Sequence, residues 1–131
     1  MSRRYSPVPQ ARGGGVIINL SSIAARTGGG GGSSLYAASK AFVATFTRAL
    51  AKEVAGEGIR VNAVSPGVID SPMQHRTTPP EQITAAINAI PMKRMAAAGE
   101  CVGTFRYLAS NEQSGYVTGP VIEVNGGLLM P

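Results

Sequence analysis

Two apolar runs too short to be helices stand on either side of one long helical pattern, and this order constrains the fold more than any other feature. Val16-Ile17-Ile18-Asn19-Leu20 is bounded by glycine before and serine after, the pattern of a short buried strand. Ile59 to Val64 repeats the pattern and is closed by Ser65-Pro66-Gly67, where Pro66 forbids continuation in a central strand. Between them, from Leu35 to about Ala55, Phe42, Phe46, Ala49 and Leu50 recur at helical spacing. That recurrence predicts an amphipathic helix with these residues on its inner face, ended by Gly56 and Gly58. Strands apolar on both faces, joined through a helix, predict a right-handed βαβ crossover in a parallel sheet.

The remaining segments extend this plan. Ser21 to Ser34 reads as loop, with Gly28 to Gly32 in an unbroken run, and the stretch after Gly67 is irregular as far as Thr78. Pro79 and Pro80 open a helix running to about Ile90, because proline is tolerated in a first turn, and Pro91 stops it. A loop to Gly99 precedes a helix from Glu100 to Ser110 with Val102, Phe105 and Leu108 inward, and Pro120 to Val124 is a third strand. The class is α/β, with residues 1–14 a disordered leader and residues 15–131 one folding unit. Three strands are few for such a sheet, and Val16 to Leu20 as an outer strand makes a long apolar edge of the kind natural proteins cover.

Charge and cysteine content exclude several functions. The net charge of +5 owes much to Arg3, Arg4 and Arg12, and the other basic residues are scattered without interleaved aromatics, so nucleic-acid binding is not expected. Cys101 is the single cysteine, which excludes a disulfide framework and a cysteine metal site and fits a reducing, cytoplasmic setting. Within a helix, beside Val102, it reads as a packed thiol. No apolar run is long enough to span a membrane, and the leader lacks the apolar stretch of a secretory signal. A serine hydrolase is disfavoured by the absence of Gly-x-Ser-x-Gly, and the one histidine, His75, lies in the irregular stretch as a solvent or substrate-loop residue.

The candidate chemistry lies at the start of the first helix. Tyr36 and Lys40 stand four residues apart, so their side chains project from one face and reach a common point. A phenol with a reference pKa near about 10 is a poor acid or base at neutral pH, but a nearby ammonium favours its ionised form. Such a pair exchanges a proton with an alcohol or carbonyl oxygen, and a hydroxyl from Ser22 or Ser21 donates a hydrogen bond to that oxygen as charge develops.

The pair stands in an ordered context: a strand ending in Asn19-Leu20-Ser21-Ser22, a glycine loop, Tyr36-Ala37-Ala38-Ser39-Lys40, then Ile59 through Ser65-Pro66-Gly67. From about Gly15 to Gly127 these segments resemble the second half of a short-chain dehydrogenase/reductase. The resemblance implies the last three strands of a Rossmann-type doubly wound sheet. It also implies hydride transfer between NAD or NADP and a small-molecule alcohol or carbonyl, and a homotetramer built partly on the helix carrying Tyr36. By position Ser22 polarises the carbonyl, Tyr36 is the general acid/base, and Lys40 holds the nicotinamide ribose. Ser22 is the second serine of the family's Asn-x-Ser-Ser segment, its spacing to Tyr36 is one residue longer than usual, and Ser21 stays an alternative. Pro66, Gly67 and Ile69 lie along the nicotinamide by the same resemblance, and Ser71 matches a hydroxyl that contacts the cofactor. The stretch from Asp70 to Ala98 corresponds to the substrate loop, which closes over substrate in such enzymes.

The sequence departs from the family pattern in places. Asn125 stands where Asp is common, and Ala96 and Gly99 replace the usual Gly and Glu, changes expected to weaken a turn and a helix start by about a kcal/mol. The family's Gly-x-x-x-Gly-x-Gly turn, its catalytic Asn and the residue that selects NAD or NADP have no counterpart, and the five-glycine run follows the wrong strand to replace that turn. Two expectations follow: a dehydrogenase truncated at its front, or a non-catalytic remnant serving as a binding or oligomerisation module. The family's substrates range over sugars, steroids and oxoacyl thioesters, and the loop that separates them has no transferable code.

Overall fold

A computed structural model describes residues 14–131. The leader expected over residues 1–14 therefore lies, except for Gly14, outside the described residues. Three parallel strands form the main sheet: β1 (Gly15–Leu20), β2 (Ile59–Pro66) and β5 (Val121–Val124), in the order β1-β2-β5. The register pairs Ile17 with Val61 and Leu20 with Val64 on one side of β2, and Ala63 with Val121 on the other. β2, whose residues from Ile59 to Ser65 are all buried, is the central strand, as its apolar run requires.

The strand β2 runs two residues beyond the expected Val64 and ends on Pro66. Proline is tolerated there because β1 has already turned away, and the Pro66 carbonyl still accepts the Ile23 N–H at 3.0 Å.

The long helix α2 (Ser34–Val54) covers one face of the sheet, and a 3₁₀ turn over Ala55–Glu57 leads to Gly58, whose φ of 74° lets the chain reverse into β2. Leu50, Ala51 and Val54 of α2 pack on Ile59 and Val61, with Ile17 alongside. Burying a side chain of the size of Leu50 or Val54 contributes about 1.5–3 kcal/mol.

The predicted inner face is corrected here. Leu50 is buried, but Phe42, Phe46 and Ala49 are exposed, and the buried face is Ala37, Ala44, Thr47, Leu50, Ala51 and Val54. Small residues mark the side that approaches the sheet and the short helix α1 (Ala24–Thr27) closely, and Asn19 Nδ2 draws Thr47 inward by donating to its Oγ1 at 2.9 Å. The two phenylalanine rings are thereby rotated outward, where they stack at 5.8 Å.

Helix α5 (Val102–Ala109) packs on β1 and β2 from the opposite face. Its Leu108 is fully buried, whereas Val102 is exposed and Phe105 half-buried, so of the expected inward trio Leu108 alone is fully enclosed.

Short elements replace the expected loops. α1 (Ala24–Thr27) lies in the Ser21 to Ser34 segment, and β3 (Ile69–Asp70) and α3 (Pro72–Thr77) occupy the stretch expected to be irregular. α4 (Pro80–Ala89) agrees with its prediction. β4 (Ala96–Ala97) pairs in parallel with β3, a 3₁₀ turn over Ala98–Cys101 precedes α5, and α6 (Asn111–Ser114) follows it. Elements of two to six residues carry no hydrophobic period, so nothing in the pattern could announce them.

Candidate active site

The carboxyl ends of β1 and β2 and the first turns of α2 meet at one end of the sheet, where open α/β sheets bind ligands. Three contacts place α2 there. Asn19 reaches Thr47, Ser21 Oγ donates to the Lys40 carbonyl at 3.0 Å, and Lys40 Nζ donates to the Leu20 carbonyl at 2.9 Å. The residues flanking the end of β1 thus hold Lys40 by its backbone and by its side chain. The Lys40 ammonium lies 5.7 Å from the centre of the Tyr36 ring, and Tyr36 is 46% exposed.

The two serines behave differently. Ser21 is 2% exposed, with its hydroxyl hydrogen committed to the Lys40 carbonyl. Ser22 is also buried, but its Oγ accepts the Ala24 N–H at 3.1 Å at the start of α1, which leaves its own hydrogen free to donate. Of the two, Ser22 has the freer donor.

Pro66 and Gly67 follow directly at the end of β2. Gly67 donates to the Val124 carbonyl at 2.9 Å, and a Cβ there would lie 2.7 Å from that of Asn125, so only glycine fits. Ile69 lies in β3, held beside Ala96 of β4, and Ser71 caps α3 by accepting the Gln74 N–H at 3.2 Å. Tyr36, Lys40, Ser22 and Pro66 therefore share the carboxyl end of the sheet, while Ile69 and Ser71 stand on the chain that leaves it. His75 pairs with Asp70 at 2.7 Å on the exposed side of α3, a surface contact as its position suggested.

Sequence reasoning missed the clasp that fixes the return of this chain. Arg94 grips both carboxylate oxygens of Glu100, at 2.7 and 2.8 Å, and Glu100 also accepts the Ala97 N–H at 2.8 Å. The hydrogen bond from Arg94, then that from Ala97, lowers the Glu100 carboxyl to about 2. The helix start that Gly99 was expected to weaken is closed by Glu100, and an acid three residues beyond Ala97 was the signal available. Burial, then the charge of Glu100, raises the pKa of the Cys101 thiol, which is 8% exposed. Such a thiol is an inert packed group.

The family model described as "Enoyl-(Acyl carrier protein) reductase" matches residues 1–129. The chain belongs to the short-chain dehydrogenase/reductase family. Among relatives of this family, the chain is 44% identical over 116 residues to a 3-oxoacyl-[acyl-carrier-protein] reductase of Thermotoga maritima, covering 88% of this chain and 46% of that protein. It is 42% identical to an acetoacetyl-CoA reductase of Allochromatium vinosum, covering 91% of this chain and 47% of the relative. A solved structure of an NADH-dependent reductase, A1-R', responsible for alginate metabolism, superposes with a TM-score of 0.77 at 39% identity, covering 88% of this chain and 42% of that one. The chain thus spans about half the length of the curated relatives it matches. The Rossmann-type α/β fold expected from the sequence is the fold of these reductases. Among the described residues no helix is long and apolar enough to cross a membrane.

Proposed function

We propose that this chain is the catalytic half of an NAD- or NADP-dependent reductase that interconverts a small-molecule alcohol and a carbonyl through Ser22, Tyr36 and Lys40. The observation that carries the reading is the placement of Tyr36 and Lys40 on one helix face, with Lys40 Nζ bound at the end of β1 beside Ser22. In this reading Tyr36 Oη gives its proton to the carbonyl oxygen as that oxygen gains charge, and takes it back in the reverse direction. The free hydrogen of Ser22 steadies the same oxygen, and Lys40 places a positive charge beside the phenol.

The nicotinamide group supplies or accepts the hydride when bound. Three observations fit it: the exposed Tyr36, the donors that Lys40 keeps beyond its bond to Leu20, and the partly exposed end of β2 at Pro66 and Gly67. Lys40 would hold the ribose, and the backbone from Pro66 to Ile69, with Ser71, would line the nicotinamide. The glycine run Gly28 to Gly32 opens onto α2 but follows the short helix α1 rather than a strand, so it does not stand where the family holds the pyrophosphate, and that part of the cofactor needs residues beyond these. Substrates of the kind named in the relatives, thioesters carrying a 3-oxo group, suit a site exposed at one end of a sheet.

A second reading, a non-catalytic module that binds or self-associates, is favoured by the exposed Leu35, Phe42 and Phe46 on α2. One experiment separates the two. The front half of the Thermotoga maritima reductase is joined ahead of Gly15 and NADH- or NADPH-dependent reduction of acetoacetyl-CoA is followed. Turnover is expected, and Tyr36→Phe should lower it by at least about 100-fold. Turnover that survives the substitution intact would rule out the proposed proton donor, and a folded chimera with no turnover favours the module.

A further inference from the structure

At the other end of the sheet, the amino end of β2, Arg60 is 8% exposed and carries its charge into the face that α5 covers. Its guanidinium donates from Nε and Nη2 to Asn111 Oδ1, at 3.2 and 2.8 Å, and from Nη1 to Ser114 Oγ at 3.2 Å and the Val117 carbonyl at 3.4 Å. Every acceptor is neutral. Among the described residues the ion pairs are His75 with Asp70 and Arg94 with Glu100, and residues 1–13 contain neither Asp nor Glu. A guanidinium withdrawn from water without a counter-charge is costly, and buried charges in folded proteins are as a rule paired.

Of the five N–H groups that a guanidinium carries, the four bonds above leave one on Nη2 unused. Arg60 also lines a cavity of about 570 Å³, together with Asn111, Tyr116, Thr118, Gly58 and Ile59. The hollow is open to solvent, with Tyr116 fully exposed at its rim and Arg60 buried at its base. We propose that this cavity binds a singly charged carboxylate, one oxygen of which accepts the remaining N–H of Arg60 and supplies the missing charge. Glu57 and Glu112, exposed and next in sequence to the lining residues Gly58 and Asn111, add negative charge to this end of the molecule and disfavour a multiply charged anion. The site lies at the end of the sheet opposite to Tyr36 and Lys40 and does not depend on the reaction proposed for them.

Acetate is the probe, titrated into the 131-residue chain against chloride at constant ionic strength, with the Arg60 side-chain N–H and Asn111 amide signals followed by NMR. A saturable shift of these signals in acetate but not in chloride is expected. Asn111→Asp places a carboxylate on the guanidinium within the chain and should weaken the acetate response at least about tenfold. A shift that rises linearly with acetate, one that chloride reproduces, or one of equal midpoint in Asn111→Asp overturns the proposal. Tighter binding of inorganic phosphate overturns the assigned charge class. The wild-type titration decides the matter alone if the variant does not fold.

Discussion

Glu100 joins three groups with two oxygens: both amino groups of Arg94 and the backbone N–H of Ala97. Its carboxyl titrates at about 2 in the fold, against an ordinary value of 4.5. A carboxyl lowered by folding contributes stability that is present above the unfolded value and is lost as pH falls through the folded one. Between pH 4.5 and about 2 this chain should lose stability in a step that Glu100→Gln removes, checked by thermal unfolding across that window. Arg60 gives a prediction of opposite sign. Asn111→Asp replaces the neutral acceptor of two Arg60 hydrogen bonds with a carboxylate, making an ion pair, and should stabilise the fold by about 1 kcal/mol, a rise of a few degrees in melting temperature by calorimetry. An unchanged or lower melting temperature counts against the description of Arg60 as lacking a counter-charge.

Among the elements, α2 has two faces with different tasks. The face of small residues, Ala37, Ala44, Thr47 and Ala51, lies against the sheet and α1, and the face with Leu35, Phe42 and Phe46 points outward. Leu35, Phe42 and Phe46 are the residues through which the self-association considered under the second reading would act. Phe42→Ser with Phe46→Ser should reduce self-association in sedimentation experiments while leaving the unfolding free energy within about 0.5 kcal/mol of the original, as for exposed positions generally.

The same helix shows how far the sequence could be read. Its length, type and end at Gly58 were legible from spacing and glycine. Its orientation was not, because a hydrophobic period identifies a stripe and cannot say whether the sheet or another partner covers it. The strands were legible since Val, Ile and Leu dominate them. The pair β3 and β4 was not, being two residues each and held by Ala96 N–H on the Val68 carbonyl at 3.2 Å, a contact between segments far apart in the chain. That Tyr36 and Lys40 share one face of α2 was legible from their spacing. Ser21 was visible as a hydroxyl, but its commitment to the Lys40 carbonyl needed the fold.

Over the whole molecule the sheet is asymmetric. β2 is paired on both sides, while β1 turns its outer side to no strand among the described residues. In the parallel register, Gly15 and Ser21 donate towards β2, at 3.2 and 2.8 Å, so Val16, Ile18 and Leu20 direct their backbone groups outward. Amide hydrogen exchange should alternate along β1, slow at Ile17, Asn19 and Ser21 and fast at Val16 and Ile18. Uniform protection would show that the outer side is already covered.

Lys40 stands at the last carbonyl of that outward row, with its ammonium on Leu20. A strand extending the ladder past Ile18 would have to displace that ammonium from the Leu20 carbonyl. The outward backbone row of β1 is therefore open at Val16 and Ile18 and occupied at its carboxyl end, where the Lys40 ammonium holds the Leu20 carbonyl.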